Sequence, residues 1–118
     1  MNKNVKRLWL EALRSGEYKQ GRGLLRDGNK YCCLGVLCDI YRQRVGGSWF
    51  GIYTVFHDRR GDENASFLPR DVGRWAELPL RPNVEGVLLS SLNDGVAEPY
   101  CATRLNFDEI ADLIQEHL

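Results

Sequence analysis

Several things are scarce in this chain of 118 residues. No apolar run approaches the ~20 residues of a helical membrane span, so no membrane partner is expected. The basic start, Met1-Asn2-Lys3-Asn4-Val5-Lys6-Arg7, is followed by no apolar stretch of the signal-peptide kind, and a cytoplasmic location is expected. Net charge is missing too: 16 Lys plus Arg balance 16 Asp plus Glu, which argues against a histone-like DNA binder and against an acidic DNA mimic. Only two histidines are present, His57 and His117, which leaves few bases to activate a nucleophile. No Gly-Lys-Ser or Gly-Lys-Thr exists for a phosphate-binding P-loop, and no Ser-His-Asp, His-Glu-x-x-His or paired-carboxylate pattern is found. The reading is therefore non-enzymatic.

The four cysteines, Cys32, Cys33, Cys38 and Cys101, belong with reduced thiols in a cytosolic chain. Adjacent Cys32 and Cys33 make an implausible disulfide. Cys33 and Cys38 lack the repeated Cys-x2-Cys spacing of a zinc ribbon, although His57 would complete a four-ligand set on paper. Small buried thiols are the simpler reading, with no metal and no cofactor.

What is present reads as one α+β domain over residues 1–118, a small antiparallel sheet packed by about four helices. Val5, Leu8, Trp9, Ala12 and Leu13 recur at helical spacing up to Gly16. Asp27-Gly28-Asn29 between two apolar runs predicts a hairpin. Leu34 to Tyr41 predicts a helix closed by Gly46-Gly47. Trp49 to Phe56 reads as one strand, residues 57–66 as an exposed loop or hairpin tip, and Phe67-Leu68 as a return to the sheet. Pro69 opens a short helix carrying Val72, Trp75 and Ala76. A further short helix is expected from Glu85 or Gly86 to Leu92, ended by an Asn93-Asp94-Gly95 turn. Asn106 and Glu109 form a capping box for a last amphipathic helix through Leu118.

The zero charge conceals a division. Residues 1–60 hold twelve Lys or Arg against five acids, a net of +7, and residues 61–118 carry −7. Either the halves attract each other, or the first half forms a basic concavity for an anion. Its densest stretch, Arg14 to Arg26, combines cations with three glycines, Tyr18 and Gln20. Glycine lets backbone approach a ligand closely, arginine forks match phosphate, and an aromatic ring stacks a base. The candidate ligand-binding set is Arg14, Lys19, Arg22 and Arg26 for phosphates, Tyr18 and Trp49 for a base, and Gln20 and Asn93 for polar edges.

Three blocks resemble a group of small bacteriophage and prophage proteins: Leu8 to Gly23, Lys30 to Asp39, and Leu92 to Gly95 together with Phe107 to Ile114. They cover about half the chain, which departs from the pattern where Val96 to Asn106 lengthens the link. The resemblance implies phage origin and supplies no catalytic residue. By analogy with phage accessory proteins that blunt host defence, the expectation is sequestration of a small anionic, nucleotide-derived ligand, with a homo-oligomer as a suitable pocket-former. The alternative is an inhibitor or regulator that docks its basic half on a host defence protein. Nucleic acid is disfavoured by the charge balance, and would show as steep salt dependence.

Overall fold

In a computed structural model of the chain, residues 1–51, 55–95 and 104–118 are described. Helix α1, Lys3–Arg14, starts where the Asn2 side chain accepts from the Asn4 and Val5 amides, both at 3.0 Å. Its inner stripe is Val5, Trp9 and Leu13. Helix α2, Cys33–Arg44, is the centre of the molecule, and every residue from Cys33 to Tyr41 is buried. A helix apolar on all sides must be wrapped, and this one is. The strand β3 (Lys30–Tyr31) and the helices α1, α3 (Arg70–Ala76) and α4 (Leu89–Asp94) pack around it. The last helix, α5 (Phe107–His117), lies on α1. Both capping-box hydrogen bonds between Asn106 and Glu109 are made. The buried side chains form one cluster, and the indole of Trp9 donates to the Cys33 carbonyl at 2.9 Å inside it.

Among the described residues the strands are short and lie in three small sheets. In the first, β3 (Lys30–Tyr31) is central, antiparallel to β2 (Arg26–Asp27) and parallel to β1 (Lys19–Gln20). In the second, β5 (Val55–His57) pairs antiparallel with β4 (Ser48–Phe50) and β6 (Glu63–Asn64). The third is the hairpin β7 (Asn83–Val84) and β8 (Val87–Leu88). The architecture is α+β, with five helices among the described residues rather than about four.

Four local expectations are corrected. The run from Trp49 to Phe56 is two strands, because Gly51 at φ 59° leaves the extended conformation between them; residues 52–54 lie outside the described residues. Residues 58–62 are the tip of the β5–β6 hairpin, as one of the two expected readings had it, but β6 follows within the segment and Asp58 is buried rather than exposed, accepting from the Arg60, Asp62 and Asp71 amides. Phe67 and Leu68 join no strand. Glu85 and Gly86, both at positive φ, form the two-residue turn of the β7–β8 hairpin, so α4 starts only at Leu89 and takes in Asn93 and Asp94.

Candidate functional site

The most suggestive concavity is built by α2, the β2–β3 hairpin and β4. The α-helical period puts Asp39, Arg42 and Gln43 on one side of α2. Beyond its end, Gly46 and Gly47 at φ 145° and 97° turn the chain back into β4. A Cβ at Gly47 would stand 2.5 Å from the His57 carbonyl oxygen, so only glycine permits that approach. The reversal brings the Trp49 indole N–H to Asp39 Oδ1 at 3.0 Å. From the hairpin, Arg26 and Tyr31 face each other across the ladder. The Arg26 guanidinium stands 4.9 Å from the Tyr31 ring centre and 5.6 Å from that of Trp49, while its Nε donates to the Gly28 carbonyl at 2.8 Å. Tyr18 meets Tyr31 edge-on at 4.9 Å, and Tyr31 meets Trp49 at 6.1 Å. Arg26, Arg42, Gly47, Ser48 and Trp49 line a cleft of about 410 Å³.

Asp39 anchors this wall. Its carboxylate, only 6% exposed, accepts from Tyr18 Oη at 2.7 Å, Arg42 Nε at 2.8 Å, Trp49 Nε1 at 3.0 Å and Gln43 Nε2 at 3.4 Å. Burial by itself raises its pKa, but the hydrogen bonds from Arg42, Trp49 and Tyr18 outweigh burial and hold it below the ordinary carboxylate value. Burial first, then the bond to Asp39, pushes the Tyr18 phenol upward. Burial also raises Tyr31, beside the same carboxylate. Asp39 is thus a fixed anion that orients Trp49 and Arg42.

A pH dependence follows. A carboxylate whose folded pKa lies below its unfolded value, 3.8, stabilises the fold fully above that value, and the contribution is lost as pH falls through the folded one. Urea midpoints of the wild type are expected to drop in acid below about pH 4. Asp39→Asn, with one acceptor oxygen for four donors, is expected to cost about 2–4 kcal/mol at neutral pH and to flatten that acid limb. An unchanged acid limb in the variant would remove Asp39 from this role.

Of the eight residues singled out in the sequence, Arg26 and Trp49 meet at the cleft, and Tyr18 reaches it through Asp39 and Tyr31. Arg14 turns to α5, with its Nη2 at 2.8 Å from both Asp112 Oδ1 and Gln115 Oε1, so one cation of the basic half is spent on the acidic half. Lys19 and Arg22 are exposed and do not line this cleft. Asn93 is corrected from a ligand contact to an internal junction, to which the Gln20 amide nitrogen is tied. Both hydrogens of Gln20 Nε2 are engaged, by Asn93 Oδ1 at 3.0 Å and the Leu105 carbonyl at 2.8 Å. Asn93 is fully buried: its oxygen also accepts from the Cys33 amide at 3.2 Å, and its Nδ2 donates to Gly21 O and Asp94 Oδ1, both at 2.8 Å. All four hydrogen-bonding positions of that amide are used, so none remains for a ligand. Asp39, Arg42 and Tyr31 went unread in the sequence. A lone acid inside an otherwise apolar helix was the signal for Asp39, since a buried charge demands partners.

The thiols are packing groups. Cys32 Sγ caps α2 by accepting from the Gly35 amide at 3.3 Å, and burial pushes its pKa up to about 12. Burial likewise raises Cys33 and Cys38 well above the free-thiol value. Among the described residues no group of His, Cys, Asp and Glu is arranged to hold a metal ion. Cys101 lies outside the described residues. A disulfide-exchange thiol reagent is expected to titrate at most one cysteine in the native protein, and all four in denaturant. Two or more fast native equivalents would contradict this burial.

Among the described residues, no helix is long and apolar enough to cross a membrane. A family model, the domain of unknown function DUF8296, matches residues 1–118, and the chain belongs to that family. No curated protein and no solved structure matches it.

Proposed function

From that family membership, which assigns no activity, we propose that the protein binds a small anionic, nucleotide-derived ligand in the cleft beside Trp49 and holds it without chemical change. One observation carries the reading: the Arg26 guanidinium stands over the Tyr31 and Trp49 rings in a cleft that Arg42 also lines. Guanidinium forks suit phosphate oxygens, and an indole face suits a base. Asp39 keeps Trp49 and Arg42 in position, which lowers the ordering cost of binding. The cleft falls within the ~300–1,000 Å³ range of small-molecule sites. Sequestration asks for affinity and stoichiometry, not turnover, in keeping with a titratable cluster whose members are held away from acid–base use. The phage accessory role, directed at host defence, rests on the sequence resemblance alone.

The test is native mass spectrometry against a panel of linear and cyclic nucleotides, with tryptophan fluorescence read in parallel. A stoichiometric added mass and quenching of Trp49 are expected, and both should weaken at least about 10-fold in Arg26→Ala. The released nucleotide should have its original mass. A polypeptide that no nucleotide shifts would end this reading, and a converted nucleotide would replace storage with catalysis.

A further inference from the structure

A second cleft, of about 300 Å³, opens beside β1 and β3 and is lined by Gln20, Gly21, Arg22, Asp27, Lys30 and Arg104. Its floor is fixed backbone. The Gly21 amide donates to the Tyr31 carbonyl at 2.7 Å, and the Gly21 carbonyl accepts from the buried Asn93 at 2.8 Å. Gly21 packs tightly against β3, where a Cβ would stand 2.9 Å from the Cβ of Lys30. The walls are cationic: Arg22, Lys30 and Arg104 face a single acid, Asp27. Outside the lining, Lys19 is the register partner of Lys30 in the parallel β1–β3 ladder, as Asp27 is in the antiparallel β2–β3 ladder.

Like charges on paired strand positions destabilise a sheet. Elsewhere the fold answers its arginines, as in Arg7–Glu11, Arg14–Asp112, Arg42–Asp39 and Arg60–Asp71. Among the described residues, no carboxylate lies within ion-pair distance of Lys19, Arg22, Lys30 or Arg104, although Asp27 is the strand partner of Lys30. Arg22, Lys30 and Arg104 are brought to the cleft from three separate stretches of chain. We propose that this cleft is an oxyanion site, distinct from the aromatic cleft and independent of it, that takes a phosphate monoester or diphosphate group. The bound group supplies the negative charge that the surrounding cations lack. Two arginine forks and a lysine ammonium provide convergent donors over a floor that need not reorganise. The concavity and its small volume favour one compact phosphoryl group over an extended nucleic-acid backbone, which follows a basic stripe.

The probe is pyrophosphate, followed by amide chemical shifts in the intact protein at low salt. Saturable shifts are expected at Gly21, Arg22, Lys30 and Arg104, with binding weakened at least about 10-fold in Arg22→Gln/Lys30→Gln. Arg26→Ala, in the other cleft, should leave pyrophosphate affinity within about twofold. Should the double variant not fold, Arg104→Gln alone is expected to weaken binding about threefold or more. Equal affinity in these variants, shifts centred on Arg26, Arg42 and Trp49, or no saturation by roughly 10 mM would each overturn the proposal. So would a single-stranded oligonucleotide that outcompetes pyrophosphate with a steep salt slope.

Discussion

Gly35→Ala is expected to unfold the protein more readily by about 3 kcal/mol or more, an ~12 °C fall in melting temperature at this chain length. The sign is the informative part. Alanine is the better helix former by up to about 1 kcal/mol, so on propensity alone the change in the first turn of α2 would stabilise. Packing opposes it: a Cβ on Gly35 would lie 1.7 Å from the Leu25 carbonyl oxygen and 2.6 Å from its carbon. Leu25 cannot retreat easily. Its amide donates to the Ala65 carbonyl at 2.7 Å, and its oxygen accepts from the Cys32 amide at 3.1 Å, while its own side chain is fully buried. The central helix would have to move off the segment that leads into β2, taking the Arg26 wall of the aromatic cleft with it. Thermal and urea melts check this directly, and a variant as stable as wild type would show that the two backbones do not touch in solution.

Replacing Asn93 is expected to be comparably severe. Asn93→Ala strands the Cys33 amide, the Gly21 carbonyl and the Gln20 amide at once, at about 1–3 kcal/mol for each buried group that water cannot reach. A net loss of about 3–4 kcal/mol is expected, less than the sum because the backbone relaxes. Asn93→Asp separates chemistry from shape. It keeps the volume but turns an oxygen toward Gly21 O and Asp94 Oδ1, where two donors stood. Its cost should therefore approach that of alanine at neutral pH. If urea melts show Asn93→Asp within about 1 kcal/mol of wild type, the four-bonded junction is not what holds these segments together.

The sequence disclosed those elements whose physics is local. The capping box at Asn106 and Glu109, the apolar stripe of α1 and the Asp27-Gly28 hairpin are each written within a few residues, and each is present. Gly51 and the Glu85-Gly86 pair carried equally local turn signals, overridden in reading by the aromatic run on one side and the apolar periodicity on the other. The site was legible by composition and not by arrangement. Arg26 and Trp49 could be chosen as residue types, but that Trp49 reaches Asp39 of α2 and stands beside Arg26 depends on a chain reversal at Gly46-Gly47 that no spacing rule encodes. Asn93 misled for a physical reason. Asparagine before Asp-Gly suits a turn, and only the burial of α4 against α2 makes it a structural partner instead.

The described strands are all only two or three residues long, and this bears on behaviour in a crowded solution. A sheet edge recruits another chain through a row of unsatisfied amides and carbonyls, and the recruitment strengthens with the length of the row. Edges this brief give a would-be fibril little to template on. Charged residues at Lys19, Arg26, Asp27 and Glu63 stand on or beside them and oppose a flat apolar approach. Cohesion has been placed in the helical centre, where an intruding strand finds no open ladder, so the sheets can serve as mounts for side chains without becoming seeds for aggregation.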